Sequence, residues 1–161
     1  MNTLNELLVH EVKDLYDAEH QLTKALPKMI DATKSSELKT AFKDHLKETQ
    51  THIERLELVF EQLGEKPART TCDGMKGLLK EGEKILEEEM DPVVRDAALI
   101  GAAQRVEHYE MAGYGTARTF AMVLGHHDAA HLLQQTLDNE EVTDKKLSGI
   151  ANKINTNAIA E

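Results

Sequence analysis

Three long stretches of the sequence repeat apolar or small residues at alternating spacings of four and three, and each repeat carries an acid near its middle. This spacing lines up one stripe along a helix, and such a stripe faces the core of a helical bundle. A fourth stretch, over residues 42–63, repeats the pattern less regularly. The four stripes are Leu8, Val12, Leu15, Glu19, Leu22, Leu26 and Met29; Phe42, Leu46, Thr49, Ile53, Leu56, Phe60 and Leu63; Leu99, Ala103, Val106, Glu110, Gly113, Ala117, Phe120 and Leu124; and Leu133, Leu137, Glu140, Asp144, Leu147, Ala151 and Ile154.

Residues that start or stop helices mark the ends of these stretches. Ser35 can cap a helix start, and Pro92 suits a first turn, where its missing N–H costs nothing. Gly64 and Gly125 are typical of helix ends, whereas Pro27 predicts a kink or an early end inside the first helix. We therefore predict a single all-α domain over residues 1–161, with four long helices and one shorter connecting helix. The predicted helices span 2–33, 36–64, 73–90, 92–124 and 127–155.

Charge and cysteine content exclude several classes of protein. The chain has 19 Lys and Arg against 29 Asp and Glu, a net charge of −10, so nucleic acid and anionic lipid are not expected partners. A single cysteine, Cys72, excludes an internal disulfide framework or a zinc ribbon. No run approaches 18 consecutive apolar residues, and acids occur too early for a secretory signal. We predict a cytoplasmic protein that does not enter a membrane.

The acids in the middle of the stripes indicate a metal site. Buried carboxylates without partners are costly, so acids from four helices at one depth require a shared compensating charge. Two metal ions are the simplest source of that charge, because iron and the hard cations accept carboxylate oxygens and imidazole together. Pairs spaced by three or four residues project from the same face of a helix. The candidate ligands are Glu19, Glu48, His52, Glu107, Glu110, Glu140 and Asp144.

The two halves of the chain also carry related patterns of acids. Each half predicts a hairpin with one helix bearing a lone Glu and one bearing a Glu and a second ligand, as in ferritin-like dimetal carboxylate bundles. The usual spacing there is Glu-x-x-His, whereas the two ligands here lie four residues apart. The expected fold is thus a ferritin-like up-down-down-up four-helix bundle with an extra short helix. A shift of 91 or 92 residues superimposes Glu19 on Glu110, Glu48 on Glu140 and His52 on Asp144.

Four longer runs resemble the YciE/YciF-type ferritin-like stress proteins, and the resemblance covers residues from about Leu4 to Ala151. The resemblance implies a ferritin-like bundle that dimerises and is associated with bacterial stress responses. It also places five acids, Glu19, Glu48, Glu107, Glu110 and Glu140, on the acid positions of the family. The runs are LYDAEHQLTKALPKM, FKDHLKETQTHIERLE, VRDAALIGAAQRVEHYEMAGYGTAR and LLQQTLDNEEVTDKKL.

Three functions are compatible with these features. The first is a redox-active protein with two iron or manganese ions that reacts with peroxide or oxygen. In that case Glu48 and Glu140 bridge the ions, Glu19 and Glu110 are terminal ligands, and open positions remain for the oxidant. The second is metal sequestration in a hollow multi-subunit shell. The third is a non-catalytic helical dimer that acts as a stress-induced interaction protein.

We expect the protein to form a homodimer, because several apolar residues remain outside the four stripes and form an apolar surplus. Such a surplus often marks a protein interface, although a fifth helix could cover part of it. The surplus residues are Ile30, Leu58, Val59, Leu78, Leu79, Ile85 and Leu86.

Overall fold

The computed structural model describes residues 1–159, and within them the chain forms five helices and no strand. The predicted all-α fold is therefore confirmed. The connecting helix ends three residues before its predicted end, and the last helix runs three residues beyond its own. The helices are α1 Leu4–Ala32, α2 Ser36–Gln62, α3 Asp73–Glu87, α4 Pro92–Val123 and α5 His127–Ala158.

The helix ends follow the predicted residues, with one exception. The Ser35 side chain accepts a hydrogen bond from the Leu38 N–H at 3.3 Å, as expected of a cap. Gly64 and Gly125 follow α2 and α4 with φ of 69° and 80°, a conformation that residues with a Cβ rarely adopt. Of the kink or early end predicted at Pro27, the early end does not occur, because α1 continues to Ala32.

Pro27 is tolerated because of where it lies on α1. It is exposed, so water can reach the backbone carbonyl that its ring deprives of a partner. Leu26, Met29 and Ile30 beside it are buried in the core. Their packing outweighs the one lost hydrogen bond and holds the last turn of α1 in place.

The long helices form two antiparallel hairpins joined by a long crossover that contains α3. The first hairpin is α1 with α2, the second is α4 with α5, and α1 also packs on α4 and α2 on α5. His126, just after α4, lies 3.3 Å from Asn5 at the start of α1, whereas Asp96 at the start of α4 accepts from the Lys34 N–H just after α1. The helices α1 and α4 therefore run in opposite directions. This order is the up-down-down-up arrangement that the sequence predicts. Gly113 marks a close approach of these two helices, since a Cβ there would meet Leu15.

The buried apolar residues form two separate clusters, one at each end of the bundle. One cluster is built around residues such as Leu22, Phe42 and Leu99, and the other around residues such as Leu8 and Phe60. The mid-helix acids lie between the two clusters. The core is therefore an apolar bundle divided by a buried polar layer.

The crossover is fixed to α1 by a group of polar contacts around Asp17. This carboxylate accepts from the Cys72 N–H at 2.9 Å and from Arg69 Nε at 2.8 Å. Cys72 is fully buried, and its sulfur caps α3 by accepting from the Met75 N–H at 3.4 Å. Burial raises the pKa of the Cys72 thiol to about 11, so this cysteine is a structural residue with little thiolate at neutral pH.

Most of the apolar surplus is used within the chain itself. Ile30 and Val59 are buried, and the four surplus residues of α3 pack against the first core cluster. Leu58 is 47% exposed. The helix α3 thus covers much of the surface that the sequence offers for a partner, and the homodimer stays a prediction.

A buried acid at the start of α4 ties the two hairpins together, and its removal should be costly. Asp96 is 2% exposed and accepts from the backbone N–H groups of Lys34 and Ser35 at 3.0 and 2.7 Å. We expect Asp96→Ala to lower the free energy of unfolding by about 2–3 kcal/mol, because two charge-assisted hydrogen bonds are lost. Denaturant unfolding followed by circular dichroism measures this change.

The control is Asp91→Ala, the same substitution at the exposed cap of the same helix. Loss of that cap should cost about 1 kcal/mol. Equal losses in the two variants would show that the link between the hairpins contributes no more than an ordinary helix cap.

Candidate metal centre

Four carboxylates and two imidazoles meet in the polar layer between the two apolar clusters. They come from all four long helices, and each side chain is at most 4% exposed. Each lies on the buried face of its helix at a stripe position flanked by apolar neighbours, so the packing that buries those neighbours also buries the polar group. The six residues are Glu19, His45, His52, Glu107, Glu110 and Glu140.

The six side chains form two groups that have one member in common. In the first group, ligand atoms of His45, Glu107, Glu110 and Glu140 all lie within 4.8 Å of one another. In the second, ligand atoms of Glu19, His52 and Glu140 do the same. Glu140 therefore stands between two potential metal positions, where a carboxylate could offer an oxygen to each.

His52 is held between two acids of the second group. Its Nδ1 lies 3.2 Å from Glu19 Oε1 and 3.0 Å from Glu140 Oε1. Burial by itself lowers the pKa of His52, but the two carboxylates outweigh it and raise that pKa to about 10. Burial likewise opposes ionisation of Glu140, yet the contact with His52 leaves the pKa of Glu140 below its ordinary value. Without metal, these two groups form a buried ion pair.

The two acids of α4 behave differently. Burial raises the pKa of Glu107 well above its ordinary value, and the neighbouring Glu140 raises it further. The pKa of Glu110 is raised well above its ordinary value by burial first and then by Glu19 and Glu140. Without a bound cation, the protonated form of both acids is therefore favoured, since a low-dielectric core destabilises so many like charges.

A buried tyrosine fixes the carboxylate of α1. Tyr114 is fully buried, and its hydroxyl donates to Glu19 Oε1 at 2.5 Å. Burial raises the pKa of Tyr114 well above its ordinary value, with Glu19 adding to the effect, so the hydroxyl keeps its proton and remains a donor. Such a donor orients a ligating carboxylate and leaves its second oxygen free.

Two of the predicted ligands lie beside the centre rather than in it. The Glu48 side chain is 43% exposed, and its Oε2 accepts from Thr143 at 3.2 Å. Asp144 is 20% exposed and accepts from Gln104 Nε2 at 3.1 Å. Neither belongs to the two groups that could hold an ion within residues 1–159. Their metal ligation stays a prediction.

His45 takes a more central position than the sequence suggested. His45 is not among the predicted ligands, but its Nε2 lies 3.2 Å from Glu107 Oε1 within the first group. The predicted stripe of α2 ran through Leu46 and Ile53, which are only half-buried. The buried residues of α2 alternate at spacings of three and four, one position away from the predicted stripe. Three of them are polar, so a search for apolar residues does not find this pattern. The buried positions of that alternation are Phe42, His45, Thr49, His52, Leu56 and Val59.

Unpaired oxygens show that the residues fit a metal. Within residues 1–159, both carboxylate oxygens of Glu110 have no hydrogen-bond partner, and neither do Oε2 of Glu19, Oε2 of Glu107 and Oγ1 of Thr49. Proteins rarely leave so many buried polar atoms unpaired without a ligand. Carboxylate and imidazole donors together suit divalent transition metals such as iron and manganese.

No helix within residues 1–159 combines the length and the apolar character that crossing a membrane requires.

Known proteins resemble this chain over almost its full length. Protein YciF of Escherichia coli K12 is 46% identical over 160 residues, which cover 98% of this chain and 96% of that protein. The crystal structure of the E. coli stress protein YciF matches with a TM-score of 0.94 and 44% identity, over 97% of this chain and 99% of that one. YcfI of Rhodopseudomonas palustris matches with a TM-score of 0.90 and 44% identity, over 91% and 94% of the two chains.

A more distant match shows how far the fold extends. A protein from Xanthomonas campestris, 20% identical, aligns with a TM-score of 0.78 over 96% of this chain and 95% of that one, and shares the fold. Residues 3–160 match the family described as a domain of unknown function, DUF892. The resemblance to YciE/YciF-type proteins is confirmed, and the chain belongs to the DUF892 family.

Proposed function

We propose that the protein binds two divalent metal ions, iron or manganese, in the buried polar layer and reacts there with a small oxidant. The observation that carries the proposal is the position of Glu140, which belongs to both groups of potential ligands. A carboxylate shared in this way is what two neighbouring cations require. Because the similar E. coli protein is described as a stress protein, we place this function in the bacterial stress response.

The charge of the cluster supports two ions rather than one. Two divalent cations carry four positive charges, and the cluster holds four carboxylates, from Glu19, Glu107, Glu110 and Glu140. Metal binding would release the protons that Glu107 and Glu110 retain and would replace His52 as the counter-ion of Glu140. His45 and His52 would each supply one neutral nitrogen ligand, so each ion has protein donors of both kinds.

The protein residues around the centre have distinct tasks. Bound iron or manganese would supply the electron-transfer chemistry toward the oxidant. The Tyr114 hydroxyl orients Glu19. The half-exposed Glu48 accepts a hydrogen bond from Thr143, and its Oε2 lies 3.8 Å from Nδ1 of His45. The two apolar clusters exclude bulk water from both ends of the layer, which strengthens every charge interaction inside it.

Metal stoichiometry tests the proposal directly. Metal-free protein, prepared with a chelator, is titrated with Fe(II) under anaerobic conditions or with Mn(II), and bound metal is determined by elemental analysis. We expect two ions per chain in the wild type and one in Glu19→Gln, which removes a carboxylate of the second group only. Consumption of peroxide or oxygen by the loaded protein then tests the reaction.

Two other outcomes favour the alternative functions. Wild-type protein that binds no iron or manganese would be a non-catalytic interaction protein, and the proposal would be wrong. A particle mass of a large hollow assembly that stores many ions per chain would instead indicate sequestration.

A further inference from the structure

An apolar cavity lies directly behind the metal centre, between α1, α3 and α4. Its volume is about 30 Å³, and most of its wall is formed by leucine, alanine, valine and methionine side chains. At its inner end it reaches His45 and Glu107, both members of the first ligand group. Its wall includes Leu22, Leu26, Met29, Ala103 and Val106, all buried in the core.

The chemistry of the wall decides what the cavity can hold. Its volume exceeds the roughly 10–15 Å³ that one water molecule needs, but a stable water also needs two to four polar partners. Charged or polar side chains line only the two ends of the cavity, with His45 and Glu107 at the inner end and Lys28 and Glu83 at the outer end. The apolar wall between the two ends offers a water molecule no side-chain partner and accepts an apolar guest. The occupant that fits is therefore small and apolar.

The outer end of the cavity is covered by the helix that is least firmly packed. Met75 is the only fully buried residue of α3 within the described chain. Gly82 and Leu79 of α3 line the cavity, and the ion pair of Lys28 with Glu83, at 2.8 Å, links α1 to α3 there. Both charged side chains are more than half exposed, so this link is weak and solvent-screened. Small outward movements of α3 would open the cavity to solvent.

We propose that this cavity admits dioxygen and holds it beside His45 and Glu107, which makes dioxygen the oxidant that reaches the centre. The inference rests on the proposed function. Dioxygen is diatomic and apolar, so it needs no hydrogen-bond partner along the leucine and alanine wall. Hydrogen peroxide has two donors and four lone pairs and would lose its hydration on this route without replacement.

Xenon is the probe for the cavity, because it binds apolar cavities and needs no metal. Crystals of the metal-free protein are pressurised with xenon, and anomalous scattering locates the gas. We expect one xenon site in contact with Leu22 and Val106. An unoccupied cavity in the wild type would overturn the proposal.

A matched pair of glycine variants tests the route. Gly82 lines the cavity, and a Cβ placed there meets nothing within 4 Å; Gly77, on the same helix, has the same open space but does not line the cavity. Gly82→Leu should remove the xenon site, and Gly77→Leu should keep it. Xenon retained in Gly82→Leu would show that the cavity is not entered past α3.

The rate of oxidation of the iron-loaded protein is the second measurement. In Gly82→Leu, oxidation of bound Fe(II) by dioxygen should slow by about tenfold or more, equivalent to about 1.4 kcal/mol of barrier, while oxidation by peroxide and the number of bound ions stay unchanged. Equal slowing with both oxidants would contradict a dioxygen route. The two proposals fail separately: xenon without metal binding overturns the dimetal function, and metal binding without xenon overturns the dioxygen site.

Discussion

The Glu140→Gln variant is expected to lose most of the thermal stabilisation that iron or manganese gives the wild-type protein. Glu140 is the carboxylate common to both ligand groups, so its loss weakens both metal positions at once. Binding at 100 times Kd adds about 2.7 kcal/mol per site, so two sites add about 5 kcal/mol, or about 10–20 °C in Tm. Calorimetry or circular dichroism with and without metal measures this gain.

The neighbouring acid provides the control for this experiment. Glu141 is exposed and lies outside both ligand groups, so Glu141→Gln should keep the full metal-induced gain. In the metal-free state, Glu140→Gln should change Tm by less than the lost gain, because His52 keeps Glu19 as a partner at 3.2 Å. If Glu140→Gln binds two ions as tightly as the wild type, the metal centre lies elsewhere.

The metal-free protein is expected to lose stability as the pH rises from about 5 to 10, whereas the metal-loaded protein is not. The pKa values of Glu107 and Glu110 are raised well above 4.5, and that of His52 is raised from 6.5 to about 10. The folded chain therefore binds more protons than the unfolded chain over this range, and stability falls with pH. The pKa of Glu140 is lowered, so its ionised form stabilises the folded chain, and this contribution is lost only as the pH falls into the acid range.

The same protons must leave when metal binds, so metal affinity should rise with pH. Glu107, Glu110 and His52 each release one proton, which gives a slope of up to about three in log affinity against pH. Titration calorimetry in buffers of different ionisation enthalpy measures the protons released. An affinity independent of pH between 5 and 8 would show that these three groups are not ligands.

Much of the fold can be predicted from the sequence because its signals are local and repeated. In α1, every member of the predicted stripe from Leu8 to Met29 is buried, and Glu19 occupies its centre. Helices start or end where the local preferences of single residues predict, at Ser35, Gly64, Pro92 and Gly125. Pro27 is the exception, since tertiary packing around it outweighs its local effect.

The sequence was less informative about α2 and α5, where the centre replaces apolar residues by polar ones. An apolar count selects Leu46 and Ile53, although the buried positions are His45, Thr49 and His52. In α5, Thr143 is buried and Asp144 is not. In both helices a small rotation about the helix axis decides which of two neighbouring residues points inward, His45 or Leu46 in α2 and Thr143 or Asp144 in α5.

The sequence by itself determined that four helices would bring acids to one depth, and therefore that a buried charge needed compensation. Helical spacing alone places five of the predicted ligands on or beside a core stripe, and all five are buried: Glu19, His52, Glu107, Glu110 and Glu140. Only the tertiary structure decided which helix faces meet, and with them the places of His45, of Glu48 and of the cavity under α3. The physical reason is that helix rotation is set by side-chain packing between helices, which no spacing along one helix records.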